Sequence, residues 1–182
     1  SLHDALPISF DVTLMNVHGL DMEIICSQGD HALGGIDFDQ KVLEILQQLY
    51  QEKFGTALIG SEEDRTKYED EAEDIKKTLS RRPAAKTMLY GPAGSMRVEV
   101  SRQMFEEAIT SLVARADMLV EVALDEAGLK PADVSTVLLV GGSTRVPLVR
   151  SHLEQIFGFP PECSINVDEF THTGGKIHVH KL

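Results

Sequence analysis

Ser135–Pro147, STVLLVGGSTRVP, is the stretch on which the reading of the whole chain turns. Four consecutive apolar residues, Val137–Val140, have the pattern of a short strand buried on both faces, as in the central parallel strand of an α/β sheet. Gly141 and Gly142 end it, where the backbone can turn sharply and a ligand can approach without meeting a β-carbon. Pro147 can then open a helix, because its missing N–H would have no intrahelical partner there. Ligands of open α/β sheets sit beyond the carboxyl ends of the strands, among free helix N–H groups, and Arg145 adds a planar cationic fork. The turn therefore suits an anion or a nucleotide, although the same pattern also serves as a plain strand-to-helix connection.

Composition narrows the classes. The 182 residues are 42% hydrophobic and 25% charged, enough for one or two compact domains with a real core. Lys plus Arg number 17 against 29 Asp plus Glu, a formal charge of -12, and such a surface repels nucleic-acid backbones and anionic lipid. Cys26 and Cys163 lie far apart without metal-type spacing, which fits reduced thiols in a cytoplasmic setting better than a disulfide framework. No apolar run approaches the length of a membrane span, and the N-terminal residues carry no basic region followed by an apolar one.

Working outward, Asp11–Val17 and Met22–Ser27 read as a hairpin about a His18-Gly19 turn, with Val12, Leu14 and Asn16 on one side. Leu33–Asp39, LGGIDFD, follows, and Asp37 with Gln40 three residues later reads as a helix cap. The helix carries Val42, Ile45, Leu46, Leu49 and Tyr50 on one face to about Phe54, with Gly55 as its stop. A second helix spans about Ser61–Ser80, with Ser61 and Asp64 at its cap and an apolar stripe of Tyr68, Ala72, Ile75 and Leu79. Glu73, Lys76, Lys77 and Ser80 stand at i, i+3, i+4 and i+7, lining up along two turns. Taken alone, they are a solvated charged face with a Glu73–Lys77 pair worth about 0.2–0.5 kcal/mol. Two strands follow, Ala85–Tyr90 and Ser95–Val100, then a helical pattern from Ser101 to Gly128, read as one helix or two with a bend. After the opening stretch comes a helix to Gly158, and then Ser164–Glu169, SINVDE, as a further edge of the same site.

Taken together, FDVTL, LGGIDFD, EDIKKTLS, AGLKPADVSTVLLVGGSTRVPLVRSHLEQIFG and SINVDE have the order and spacing of the seventy-kilodalton heat-shock chaperones of the DnaK type, and Ser9–Glu169 resembles the second lobe of their nucleotide-binding domain. The resemblance implies an α/β lobe of the actin-like, ribonuclease-H-like ATPase fold, with an inserted α+β outer subdomain over about residues 39–100. It also implies ATP or ADP with magnesium in a cleft between lobes. Glu73, Lys76, Lys77 and Ser80 match the positions that clamp adenosine from the outer subdomain, and Gly142, Ser143, Thr144 and Arg145 match the other side of the base. Gly34 and Gly35 match glycines near the phosphates, Asp168 a residue closing the adenosine pocket, and Asp11 a carboxylate acting on the metal through water. No other catalytic residue of the family has a counterpart in this chain. Partners implied are a J-domain co-chaperone, a nucleotide exchange factor and unfolded client peptides, the last bound by a domain outside this match.

Several positions depart from the family pattern. Ile36 stands where a glutamate is usual, Ser9 where threonine is, and Val167 where proline is. Residues 1–8 and 170–182 read as non-family tails, the latter as a disordered segment whose His172, His178 and His180 are incidental rather than metal ligands. Two functions compete: a portion of an ATP-dependent protein-folding chaperone that supplies the adenosine side of the cleft, and a non-catalytic docking module derived from an actin-like lobe. Nucleotide affinity separates them.

Overall fold

The computed structural model describes residues 10–18 and 21–163, together with the backbone of 175–181. Two compact units emerge, Ser1–Gly35 with Leu112–Leu182, and Ile36–Ser111. The division falls after the first residue of one helix and partway along another, so neither boundary is marked by a change of composition.

In the first unit, β1 (Phe10–His18) and β2 (Asp21–Asp30) form the expected antiparallel hairpin. Its turn residues Gly19 and Leu20 lie outside the described residues. The buried positions of β1 run Phe10, Val12, Leu14 and then Val17, so Asn16 does not continue the inward set. The register with β2 shifts between Leu14 and Met15, where Ile25 of β2 is the extra residue of a bulge. The sheet order is β2-β1-β6-β5, with β5 at Thr136–Val140 and β6 at Gly175–Lys181. β6 runs antiparallel to β1 and parallel to β5. This corrects the expectation of a disordered tail there. The stretch GKIHVHK alternates β-branched with polar residues, a short period-two pattern whose place as a strand depends on its partners β1 and β5.

On its other side β5 meets Glu162, which accepts from the Leu139 N–H and donates to the Val137 carbonyl, each at 2.8 Å. Both edges of β5 are thus hydrogen-bonded, as a central strand requires. Val137, Leu138 and Leu139 are buried but Val140 is 41% exposed, so the apolar run extends one residue past the core, to the start of the turn. The helix α4 (Pro147–Phe157) begins at the proline and ends at Gly158 with φ 79°. The C-terminal half of α3 (Arg102–Ala127) packs Ala123 against the hairpin, its carbonyl accepting from the Cys26 Sγ at 3.2 Å. Burial pushes the Cys26 thiol up, with Glu126 adding to the effect, so it behaves as a core residue.

The second unit is built on α1 (Gly35–Phe54), α2 (Glu62–Leu79), the hairpin β3 (Ala84–Gly91) and β4 (Gly94–Ser101), and the first turns of α3. α1 starts before Asp37, so Asp37 occupies its first turn, where a carboxylate complements the dipole, rather than capping it. α3 is one continuous helix, and the Ser101 hydroxyl accepts from the Met104 N–H at its start. Two buried tyrosines pin the β3–β4 hairpin. The Tyr50 hydroxyl accepts from Ala93 N–H and donates to the Gly94 carbonyl, each at 3.0 Å. The Tyr68 hydroxyl donates to the Tyr90 carbonyl at 2.9 Å and accepts from its N–H at 2.8 Å. Gly91 makes room for the first of these, since a β-carbon there would come within 2.5 Å of the Tyr50 ring.

Candidate functional site

The residues singled out by sequence fall on both units, and each group has its own local logic. In the second unit, α2 begins at Ser61, whose hydroxyl accepts from the Asp64 N–H at 3.1 Å, and places Glu62, Glu63 and Asp64 at its positive end. The last turn of the helix carries Lys76 and Lys77. Lys77 Nζ lies 3.0 Å from Glu73 Oε1, and both side chains are about half exposed. The hydrogen bond to Glu73 raises the Lys77 pKa. An exposed i,i+4 pair contributes little to stability, so an incoming ligand can separate the two at little cost.

Lys76 is different. It is 9% exposed and its ammonium is held by Asp39 of α1, 2.8 Å from Oδ1 and donating to Oδ2 at 2.9 Å. Burial pushes the Asp39 carboxyl above its ordinary range, against the pull of Lys76. The polar stripe is therefore not uniform: Glu73 and Lys77 face water, while Lys76 belongs to the α1–α2 packing. Ser80 forms the C-cap, and both its N–H and its hydroxyl donate to the Lys76 carbonyl at 3.0 Å. The hydroxyl thus presents lone pairs rather than its proton.

In the first unit the turn after β5 has the geometry its glycines predict. Gly141 adopts φ 105°, open to glycine and strained for other residues, and a β-carbon on Gly142 would meet nothing within 4 Å. Gly142–Arg145 forms a short 3-10 turn, in which Thr144 Oγ1 donates to the Gly141 carbonyl at 2.7 Å. Ser143 and Thr144 are buried and Arg145 is exposed. Val146 is extended, as a residue before proline should be, and delivers the chain into α4. The buried Thr144 hydroxyl holds the loop while its glycine face and guanidinium stay open, an arrangement able to accept a flat polar ligand such as a nucleobase.

Gly34 and Gly35 are buried, with Gly35 the first residue of α1. The loop before them is anchored by Asp30, whose carboxylate accepts from the Ala32 N–H at 2.8 Å and pairs with Arg115. That backbone bond, with Arg115 adding to it, lowers the Asp30 pKa. Sequence reasoning missed both Asp30 and Asp39. The Asp30-His31-Ala32 sequence is a turn signal for the first, and a charged residue beside the buried Phe38 is a signal for the second. Asp11 on β1 leans across the backbone of Gly29, where a β-carbon would come within 2.5 Å of its Oδ1. Among the described residues no group of three or more His, Cys, Asp or Glu side chains could hold a metal ion. Asp168 and the rest of SINVDE lie outside the described residues. Ile36 is 67% exposed.

A family model described as "Hsp70 protein" matches residues 7–181, which includes β6 and most of the segment read as a C-terminal tail. The chain belongs to the Hsp70 family. Among its relatives, the "Chaperone protein DnaK" of Thermosipho africanus is 32% identical over 176 residues, covering 93% of this chain and 29% of the relative. Those of Thermosipho melanesiensis and Thermotoga neapolitana are each 31% identical over 176 residues, covering 93% of this chain and 29% and 30% of the relatives respectively. The chain thus spans less than a third of the length of these chaperones. No helix among the described residues is long and apolar enough to cross a membrane.

Proposed function

We propose that this chain is the adenosine-binding portion of a DnaK-type chaperone, the second lobe of an actin-like ATPase domain, with the 36–111 unit as its outer subdomain. The observation that carries the reading is the turn after β5, where Gly141 at φ 105° and the open Gly142 lie beside the exposed Arg145 in an Hsp70 sequence context. In this reading Arg145 stacks its guanidinium plane on the base, and Glu73 accepts from ribose hydroxyls once its pair with Lys77 opens. Lys77 or Lys76 then lays its aliphatic stem along the base, and Ser80 accepts a hydrogen bond. Gly34 and Gly35 lie toward the phosphates, Ser143 and Thr144 support the turn, Asp168 closes the pocket, and Asp11 acts through water. Magnesium, when bound with ATP or ADP, would neutralise phosphate charge. Nucleotide binding would regulate peptide affinity in the whole chaperone, together with a J-domain co-chaperone and a nucleotide exchange factor.

Substituting Arg145→Ala should weaken ATP and adenosine alike, by about tenfold, because the lost contact is to the nucleoside. Calorimetry with both ligands checks this. Loss confined to ATP would place Arg145 on the phosphates, and absence of any adenosine binding would favour the docking-module reading.

A further inference from the structure

β6 holds a central place in the sheet of the first unit with the sequence of a strand that has one wet face. It lies between β1 and β5, antiparallel to the first over Asp11–Val17 and parallel to the second over Thr136–Val140. The neighbours show what that place asks for. Val137, Leu138 and Leu139 of β5 are consecutive and all buried, the pattern of a strand packed on both faces, and Val12, Leu14 and Val17 of β1 are buried as well. β6 meets the demand by halves. Its register sets Ile177 between Met15 and Thr136 and Val179 between Thr13 and Leu138, but it sets His178 between Leu14 and Val137 and His180 between Val12 and Leu139. Directly opposed residues share one face of a sheet, so positions 178 and 180 fall on a face where all four flanking residues are buried. A polar residue at such a position costs free energy unless it finds a partner, whereas an apolar one gains.

We propose that the slot between β1 and β5 is a strand-acceptor site: it releases β6 and takes in its place an extended segment of a second polypeptide, antiparallel to β1 and apolar at consecutive positions. The two flanking strands supply affinity through backbone hydrogen bonds, which an extended segment makes at every residue except proline, and their buried side chains supply the choice of an apolar one. The outer edge of β2 is a different surface. Met22 and Ile24 are exposed there, and a segment pairing with it would add a strand without displacing any, whereas the slot exchanges one strand for another.

The test adds unlabelled peptides to the full isotope-labelled chain, followed by NMR: residues 175–181 in their own sequence, the same peptide carrying His178→Val and His180→Val, and one carrying His178→Pro. The doubly substituted peptide should bind about a hundredfold more tightly than the unaltered one, because two apolar side chains replace two imidazoles at packed positions. As it binds, the amides of Asp11–Val17 and Thr136–Val140 should shift together and those of 176–180 should lose their exchange protection. The proline peptide should do neither, since it cannot pair in a central position. A measurement on the chain alone supplements this: in the intact variant His178→Val/His180→Val, exchange of amides 176–180 should slow about tenfold or more, as the better occupant is released less often. Shifts confined to β2 would overturn the proposal by placing the peptide on the outer edge. Equal affinity of the unaltered and doubly substituted peptides, β6 protection unchanged at saturating peptide, or unchanged exchange in the intact variant would each overturn it too.

Discussion

Lys76 and Lys77 are adjacent in the chain and meet opposite surroundings, one buried against a carboxylate and one exposed beside another. Helical spacing put both on one polar stripe, because a period of 3.6 residues cannot distinguish the edge of a buried face from its neighbour in water. The structure decides it through Asp39. In Lys76→Met that carboxylate loses its cation while staying largely buried, so its already raised pKa rises further. A carboxyl whose folded pKa exceeds its unfolded value destabilises most above the folded pKa, and that penalty disappears as pH falls to the unfolded value near 3.8. Lys76→Met should therefore lose about 3 kcal/mol of stability at neutral pH. The loss should be smaller near pH 5, as read from urea unfolding at the two pH values. An equal loss at both would mean that Asp39 is not the group responsible.

At the scale of elements, the hairpin β3–β4 and the strand β6 make separate claims. Tyr50→Phe keeps the buried ring and removes the hydroxyl that satisfies Ala93 N–H and the Gly94 carbonyl. It should cost about 1–2 kcal/mol in thermal or urea unfolding, with hydrogen exchange accelerated at the 91–94 turn before elsewhere. β6 is the middle partner between β1 and β5, so its backbone amides should exchange slowly, at rates comparable to those of β1. Exchange of residues 176–180 at unprotected rates would remove β6 from the sheet. These two elements also show what the sequence disclosed. β3 and β4 were legible because Met96, Val98 and Val100 alternate with charged residues about a Gly-Pro-Ala-Gly turn. α2 was legible from Ser61 and Asp64 at its cap, and α4 from Pro147 and Gly158. β6 was not, since a strand of seven residues with polar alternates carries little local signal and its place depends on distant partners, β1 and β5. The bulge at Ile25, opposite Leu14 and Met15, escaped for a related reason, as it is a property of the pairing and not of either strand alone.

For the molecule as a whole, the legible part of the proposed site was its membership, the residues whose positions resemble an adenosine clamp of the family. What the fold adds is their condition, with Glu73 and Lys77 cheaply paired and exposed, Lys76 withdrawn, Ser80 bound as a cap, and Arg145 presented on a turn locked by Thr144. We expect the 182-residue chain to bind adenosine weakly and not to hydrolyse ATP by itself, since by resemblance to the family only Asp11 answers to its catalytic set and phosphoryl transfer requires positive charge held around the γ-phosphate. Phosphate release from ATP by the purified chain, abolished by Glu73→Ala, would contradict that. The most direct measurement of the central claim is a titration of the labelled chain with adenosine, followed at the backbone amides of the turn after β5. The predicted result is a saturable shift of residues 142–145 that changes little on adding magnesium. Saturating adenosine that leaves residues 142–145 unshifted would contradict the claim.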